Sequence, residues 1–497
     1  MTLKMPLIIW LCVFVFRLLN AFSIKTFFQP DEYFQALEPA HRLVFGYGYL
    51  TWEWHEALRS SLHPLLYAAA YKAFDVFMPE SWAVIAAPKV TGALIATVSD
   101  IYVYKLARKY WRNQGVANTA LAMSLLSSWN WFVSTRSFLN NLEMALTVAG
   151  LSYWPWHHYK LMPLLLSSFL GFLSCIVRPT NAILWSFLAT SLIIKNIQKF
   201  SRLASLLMAV SIILALLLFV TSLADRYFYQ KWTFPLYNFL EFNVVKNLLV
   251  FYGSAPWHFY LFQGVPLMLL GYLPAFFLAI YESKDSLLFG LCAFFVAAFS
   301  SIAHKEFRFL QPIYPVMLVL CAKTTYRKRT MRFLKVLVSL IVFIHIGVAY
   351  FFTRVNEIGE IEVIEVLRTD PTVKSIGLLT PCHSTPWHSV LHRKDLVKES
   401  WFLTCEPPLH LESGTAENVK LYRDQLDQFF DNPSLFLRNL PYDWPTHLVI
   451  YQSMEAEVKR ELPDYYECKR LFNSFFHWDE RRKGDIIVLC RDQTVSQ

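Results

Sequence analysis

Two adjacent carboxylates stand directly after the first apolar run of the chain. Asp31 and Glu32 follow Pro30 and open an aromatic, helix-like segment. A carboxylate can take a proton from a nucleophile, and uncompensated charge beside a lipid-facing segment is costly, so the pair is a candidate catalytic site. The same residues also suit the positive end of a helix that starts near Pro30, and helix capping is the alternative interpretation.

Three further polar clusters stand between apolar runs and carry cationic side chains. They contain Arg136, Arg178 and the run of His304, Lys305 and Arg308. Long basic side chains at the ends of membrane spans often only extend their charge toward water. Cationic groups that face a carboxylate pair across one boundary also suit a reaction in which they hold a phosphate while the carboxylate deprotonates a nucleophile. The pattern indicates an anionic, membrane-embedded donor.

The segment after the acidic pair adds aromatic and charged residues. Glu53 lies between Trp52 and Trp54, and Arg59 follows them. Indole rings can stack on sugar faces, but tryptophan also anchors proteins at the interface between water and lipid, and both interpretations stay open.

The composition is that of a membrane protein. Hydrophobic residues make up 55% of the 497 residues and charged residues only 17%, against about 25% in soluble domains. The net charge of +9 comes from basic residues that cluster in short loops between apolar runs. This distribution fits membrane orientation better than a phosphate-reading surface. We therefore predict a polytopic α-helical membrane protein without a nucleic-acid partner.

Eleven apolar segments have about the length needed to span a membrane. They cover residues 5–22, 83–106, 116–134, 141–157, 161–177, 180–195, 203–224, 257–281, 286–303, 308–322 and 333–352. The segment 62–78 is a less clear candidate, and counting it reverses the orientation of all that follows. Without it, the positive-inside rule places the basic loops in the cytosol and the polar clusters on the lumenal side. These basic loops contain Lys105, Arg108, Lys109, Arg112, Lys160, Lys195, Lys199, Arg202, Lys323, Arg327, Lys328, Arg329 and Arg332.

The composition becomes charged and polar from residue 353 onward. We predict a transmembrane catalytic domain over 1–352, with a lumenal loop over 23–82 that carries the acidic motif, and a small C-terminal α/β lumenal domain over 353–497. The clearest strand-like runs are 375–379, 447–450 and 485–489.

Four of the eight cysteines lie in this polar region. They are Cys382, Cys405, Cys468 and Cys490. An even number permits two disulfides in an oxidising lumen, with three possible pairings. Metal binding is the alternative, although the close Cys-x-x-Cys spacing of metal sites is missing.

The polar clusters, in this order, resemble the endoplasmic-reticulum mannosyltransferases that use dolichyl-phosphate mannose, which form glycosyltransferase family 22 of the GT-C superfamily. The resemblance is most specific at residues 30–35, 47–54, 59–60 and 304–315. Within the family, the chain is most similar to the branch that adds the third mannose of the glycosylphosphatidylinositol (GPI) core in α-1,2 linkage. Residues 381–386 and 405–408 also resemble that branch.

The resemblance implies a GT-C fold of about eleven transmembrane helices in the endoplasmic-reticulum membrane, in contact with its lipids and with a lumenal active site. It implies transfer of mannose from dolichyl-phosphate mannose to a mannosylated GPI lipid, with inversion and without a metal or another cofactor. The expected general base is Asp31, supported by Glu32. The expected donor-phosphate ligands are His304, Lys305 and Arg308, with Arg136 and Arg178 as weaker candidates.

Two other functions stay open at this point. One is mannose transfer by a relative of the same family to the dolichol-linked oligosaccharide of N-glycosylation. The other is transport of a lipid or sugar, because polar groups at membrane depth also mark substrate pathways. Paired internal repeats are not evident and the charges cluster at one face, which favours the enzyme.

Overall fold

Helices occupy most of the chain up to Arg354, and a five-stranded sheet lies in the remainder. The computed structural model describes residues 5–198, 200–284, 286–329, 332–411, 416–477 and 479–492. Lys199, one of the basic residues used to predict the orientation, lies outside them.

The helix Glu80–Trp111 is the centre of the helical part. Its buried face contains many small residues, which allow neighbouring backbones to approach closely. At Gly92 a Cβ atom would lie 2.0 Å from the carbonyl oxygen of Thr135, so a larger residue does not fit there. The helices that pack against it are Leu7–Ser23, Leu62–Asp75, Gln114–Leu126, Leu139–Tyr153 and Tyr314–Lys328.

The remaining helices up to Arg354 differ widely in length. The short ones are Tyr33–Leu37, Glu38–Phe45, Trp52–His55, Ser128–Val133, Pro179–Asn181, Pro235–Leu240, Glu241–Val245, Leu248–Tyr252, Tyr260–Gly264, Val265–Leu269, Leu270–Tyr272 and Phe307–Ile313. The long ones are Leu161–Val177, Ala182–Asn196, Phe200–Tyr229, Leu273–Ser283, Leu287–Ser301 and Arg332–Arg354.

The predicted spans fall on helices, but several of these helices are interrupted. The span 116–134 is divided at Ser127, whose hydroxyl accepts a hydrogen bond from the backbone N–H of Asn130 and so caps a new helix. The span 257–281 contains a π-helical turn and a 3-10 turn. Residues 62–78 contain a helix of 14 residues, about 21 Å long, which is shorter than the ~30 Å hydrocarbon layer. The number of spans stays a prediction.

Apolar side chains on the outside of the helices indicate a lipid environment. Among the described residues, four helical stretches are long and apolar enough to cross a membrane: Glu80–Trp111, Leu203–Tyr229, Tyr260–Ser283 and Val336–Thr369. Leucine, isoleucine and phenylalanine side chains are exposed along the second and fourth of these. Such continuous apolar surface is stable in lipid rather than in water. The protein is a multi-pass membrane protein.

The C-terminal sheet is mixed. Its strands are β1 (Ile376–Leu379), β2 (Trp401–Phe402), β3 (His447–Tyr451), β4 (Tyr465–Leu471) and β5 (Ile486–Arg491). Their order is β2-β1-β3-β5-β4. Strand β1 pairs in parallel with β2 and β3, and β5 pairs antiparallel with both β3 and β4. The three strand-like runs of the sequence are β1, β3 and β5, so these predictions are confirmed.

Both faces of the sheet are buried at β1, β3 and most of β5, whereas most of β4 is exposed. One face packs against the helical segment that follows the acidic pair, through Phe34 and Leu37, and against Tyr67 and Tyr71 of the helix Leu62–Asp75. The other face packs against local helices. The helices of this region are Gly359–Thr369, His388–Leu391, Lys394–Leu396, Ala416–Leu421, Gln425–Asp431, Pro433–Arg438, Gln452–Met454, Glu455–Glu461 and Glu480–Arg482.

The four C-terminal cysteines form two disulfides, Cys382–Cys405 and Cys468–Cys490. The two compact groups of metal-ligand side chains among the described residues each contain one of these pairs. Since a sulfur in a disulfide is not a thiolate ligand, the structure favours the disulfide interpretation.

A buried ion pair ties the first helix to the central one. The Nε and Nη2 atoms of Arg17 donate to the Asp100 carboxylate at 2.6 and 3.0 Å, and the Ser124 hydroxyl donates to the same carboxylate at 2.6 Å. Arg17 also donates to Asn20. Both charged side chains are enclosed, so each needs the other.

We expect Asp100→Ala to lower the free energy of unfolding by about 3–5 kcal/mol, because it leaves Arg17 buried without its partner. The double variant Arg17→Leu/Asp100→Leu should lose less than Asp100→Ala alone. Thermal unfolding of the detergent-purified protein measures both, with exposed Lys72→Ala as control. A double variant less stable than Asp100→Ala would contradict this account.

Candidate active site

A cavity of about 1360 Å³ lies between the acidic loop, the polar loops of the helical part and the C-terminal sheet. This is larger than the ~300–1,000 Å³ common for small-molecule pockets, so it offers space for a sugar with an attached lipid or glycan. Of the predicted site residues, Asp31, Trp52, Glu53, Arg59, Arg178, His304, Lys305 and Arg308 line it.

Asp31 stands at the first turn of a helical segment that runs to Phe45. The N–H groups of Tyr33 and Phe34 donate to the Pro30 carbonyl, so the acidic pair does occupy a helix start. Backbone hydrogen bonds from Lys25 to Thr353 and from Phe27 to Glu357 fix the residues just before it. Capping and a site role are therefore compatible for Asp31.

Arg308 connects Asp31 to a second carboxylate. Its Nη1 donates to the Asp31 carboxylate. Its Nε and Nη2 donate to the two oxygens of Glu306 at 2.6 and 2.9 Å, a bidentate pair. The guanidinium is almost completely enclosed, and the bidentate geometry fixes its orientation.

His304 completes this network. Its Nε2 lies 3.1 Å from Glu306 Oε1, and its Nδ1 lies 3.0 Å from the Gly253 carbonyl oxygen. Burial lowers the pKa of His304, but the hydrogen bond and charge of Glu306 outweigh burial and raise it above its ordinary value. Burial raises the pKa of Glu306, but the charge of Arg308 outweighs it and holds that pKa well below its usual range. The network thus favours a cationic His304 and an anionic Glu306.

Lys305 contacts the same loop as His304, the loop that contains Gly253 and Ala255. Its Nζ donates to the Ala255 carbonyl at 2.9 Å and to the Ile302 carbonyl. An ammonium group has three N–H donors, so one is left for a ligand. Lys305 therefore holds residues 253–256 against the cavity while keeping its charge at the wall.

Arg178 and Arg59 each have an acidic partner. Arg178 Nε lies 3.5 Å from Glu143 Oε2, and its guanidinium lies 4.9 Å from the centre of the Phe309 ring. Arg59 donates to Glu53 at 2.6 Å, and Glu53 also accepts from Gln35 at 3.3 Å.

The two tryptophans of the loop are placed differently. Trp52 borders the cavity and its ring contacts Phe242, with 4.9 Å between ring centres. Trp54 is only 2% exposed, and its Nε1 donates to the Phe34 carbonyl at 3.0 Å. Trp54 therefore holds the loop, whereas Trp52 is the one placed where a sugar could stack.

Glu32 and Arg136 do not line the cavity. They form a buried ion pair of 3.0 Å, and Arg136 also donates to the Thr26 carbonyl and hydroxyl and to the Phe132 carbonyl. Four of its five N–H donors are thus occupied. The structure places both residues behind the wall, where they fix the segment that carries Asp31. Neither residue contacts the cavity, so Arg136 has no contact through which it could bind the donor phosphate there, and Glu32 can support Asp31 only by orienting its segment.

Sequence reasoning missed Glu306 and His383. Glu306 has an extended backbone and directly precedes the 3-10 helix Phe307–Ile313, which carries Arg308. Its place in the sequence between the two predicted cationic ligands His304 and Arg308 is the signal that could have found it. His383 follows β1 and reaches the cavity from the C-terminal sheet, with its ring 4.2 Å from the ring of Phe34. Burial lowers the pKa of His383 to about 4, so it is neutral at the wall.

Comparison with known proteins adds the family. Residues 8–392 match the family model described as the Alg9-like mannosyltransferase family. The chain belongs to the Alg9-like mannosyltransferase family. It is 46% identical to GPI mannosyltransferase 3 of Debaryomyces hansenii, over 97% of this chain and 92% of the relative. It is 48% identical to GPI mannosyltransferase 3 of Candida albicans, over 97% of each chain. The chain is therefore a glycosyltransferase, and the enzyme prediction is confirmed.

Solved structures of other proteins share the overall fold of this chain. The crystal structure of ArnT from Cupriavidus metallidurans bound to undecaprenyl phosphate superposes with a TM-score of 0.58 at 12% identity, covering 97% of both chains. The apo form of ArnT gives a TM-score of 0.55. These similarities support the predicted GT-C fold.

Protonation of His304 should make stability depend on pH. Because its pKa is raised in the folded protein, it stabilises the fold fully below the unfolded value of about 6.5, and this contribution is lost as pH rises through the raised pKa. The difference in melting temperature between the wild type and His304→Gln should therefore be largest in mild acid and shrink above neutral pH. Exposed His55→Gln is the control, and a difference that grows with pH would refute the assignment.

Proposed function

We propose that this enzyme transfers the third mannose, in α-1,2 linkage, from dolichyl-phosphate mannose to a mannosylated GPI lipid at the lumenal side of the endoplasmic-reticulum membrane. The observation that carries the proposal is the shared wall of the cavity, where Asp31 touches the cationic group Arg308. The relatives named GPI mannosyltransferase 3 support the GPI acceptor.

In this proposal the cationic wall binds the donor phosphate. His304, Lys305 and Arg308 lie within one loop, and Arg178 lines the same cavity. Phosphate is a good leaving group once its developing charge is stabilised by fixed cationic donors, so a general acid is not required. The proposal therefore includes no metal or other cofactor.

Asp31 then acts as the general base. A β-linked mannosyl phosphate gives an α product by inversion, which takes one carboxylate to deprotonate the attacking hydroxyl. A donor phosphate on Arg308 competes with Asp31 for the same guanidinium. Donor binding thus loosens the contact between Arg308 and Asp31 and leaves the carboxylate available to the acceptor hydroxyl.

The acceptor can be tested directly. The family name also fits transfer to a dolichol-linked oligosaccharide, whereas family membership indicates an enzyme and not the transporter considered from the sequence. Purified enzyme with dolichyl-phosphate mannose and each acceptor in turn, followed by linkage analysis, decides between them. An α-1,2-mannosylated GPI product formed in the presence of EDTA is the expected result. Product only on the oligosaccharide, or loss of activity with EDTA, would contradict the proposal.

Asp31→Asn should lower kcat about 10²–10⁴-fold, because the amide cannot accept the proton of the acceptor hydroxyl. Donor and acceptor KM should change little. The matched control is Glu56→Gln, an exposed carboxylate of the same loop. Transfer at the wild-type rate by Asp31→Asn would eliminate Asp31 as the base.

Arg308→Ala should lower kcat/KM for the donor about 10²-fold or more, because it removes the cation that both orders the wall and faces the phosphate. Arg308→Lys should recover part of this loss, since lysine keeps the charge but not the bidentate contact with Glu306. Initial rates at varied donor concentration measure the effect. Unchanged donor kinetics in Arg308→Ala would remove Arg308 from the phosphate site.

A further inference from the structure

Arg59 and Arg482 line the cavity without a part in the proposed mechanism, and Arg59 is paired with Glu53. Arg482 ends the short helix Glu480–Arg482 of the C-terminal region and lines the same cavity as Asp31. It therefore approaches from the C-terminal side, whereas the proposed donor-phosphate ligands come from residues 304–308 and from Arg178.

Arg482 differs from the other arginines and lysines of the cavity in its partners. Arg59, Arg178 and Arg308 each have a carboxylate partner, and Lys305 donates to two carbonyl oxygens. Within the described part of the chain, the Arg482 guanidinium has no hydrogen-bond or ion-pair partner, and its Nε is enclosed without an acceptor. Arg482 is half-buried, and an enclosed N–H of a charged group without an acceptor is costly, so a ligand that supplies an anionic oxygen would stabilise it.

The acidic groups near Arg482 have other partners. Glu357 lies 3.5 Å from His477 Nε2. Glu360 accepts a hydrogen bond from the Tyr451 hydroxyl. Asp479 is held by the neighbouring Arg481 at 2.9 Å. None of these three carboxylates is within ion-pair distance of Arg482, although its charge acts on each of them through space. A ligand would therefore supply its first direct anionic contact.

The surroundings of Arg482 suit a lipid phosphate rather than a soluble one. Val348 and Phe352 of the helix Arg332–Arg354 line the cavity with it, as does Phe476. The same helix exposes apolar side chains on its outer surface. A cation beside the wall of a lipid-facing helix can hold a phosphate while the attached chains stay in the membrane.

We propose that Arg482 binds the phosphodiester of the acceptor lipid. The inference rests on the proposed function, which assigns the donor phosphate to the wall around Arg308 and leaves Arg482 for the second lipid. Two cationic subsites in one cavity would hold the two lipids by their phosphates and bring the acceptor hydroxyl and the donor sugar together at Asp31.

Kinetics of Arg482→Gln test the subsite. With saturating donor, we expect KM for a GPI-type acceptor to rise about tenfold or more, with kcat and the donor KM within twofold of the wild type. Arg482→Lys should recover part of the loss. Arg481→Gln is the matched control, because Arg481 is the adjacent arginine, is engaged by Asp479 and does not line the cavity. Melting temperatures verify that all variants are folded.

A second acceptor, with the same glycan on an alkyl chain without phosphate, gives the decisive readout. Arg482→Gln should leave its KM unchanged, since the interaction is already absent. An equal rise of KM for both acceptors, a rise of the donor KM, a loss confined to kcat, or the same effect in Arg481→Gln would overturn the inference.

Direct binding separates this inference from the proposed function. Failure of the wild type to transfer mannose to the GPI-type acceptor would refute the proposed function. Binding of short-chain phosphatidylinositol to detergent-purified wild type and Arg482→Gln then decides about Arg482. Weaker binding by the variant supports the subsite, and equal binding overturns it.

Discussion

The contact of Arg308 with two carboxylates is the interaction on which the site depends. Arg308 lies 277 residues after Asp31 in the sequence, it joins Asp31 to Glu306, and its guanidinium is almost completely enclosed. An enclosed guanidinium is stable only while its donors are matched by fixed acceptors, so the acidic loop and the His304 loop have to meet in one arrangement. In the proposed mechanism, the cation that binds the donor phosphate is also the group that contacts the general base. That mechanism couples phosphate binding and proton transfer through one side chain.

Other buried polar contacts hold the helices that carry these loops. Arg17 with Asp100 fixes the first helix against the central one, and Arg136 with Glu32 fixes the start of the acidic segment. In lipid, the apolar surfaces of helices gain little from meeting each other, so matched polar groups and small residues such as Gly92 determine which faces pack. These pairs are structural, yet the position of Asp31 depends on them.

The sequence predicted which charged residues lie near the membrane boundary, but it predicted less well which side chains they pair with. Charge bias and apolar runs led to Asp31, His304, Lys305 and Arg308, which the structure brings together. Glu32 was grouped with Asp31 because they are adjacent, but neighbouring residues of a helix point about 100° apart, and Glu32 turns to Arg136 behind the wall. The resemblance of residues 381–386 and 405–408 pointed to the C-terminal region, but no local pattern showed that this region reaches the cavity. That contact arises from packing between parts of the chain that lie more than 300 residues apart.

That packing changes the role of the C-terminal sheet. In a parallel sheet, loops that leave the carboxyl ends of the strands meet at one edge and commonly form binding sites. Here the loops after β1 and β2 carry Cys382, His383 and Cys405 to the cavity, and the disulfide joins the two loops there. If the site were formed by the membrane helices alone and the C-terminal region were a separate domain, His383 and Arg482 would lie away from Asp31. Because one face of the sheet instead covers the acidic segment through Phe34, the C-terminal region builds part of the cavity wall. If Arg482 holds the acceptor lipid as proposed, acceptor selection depends on this region.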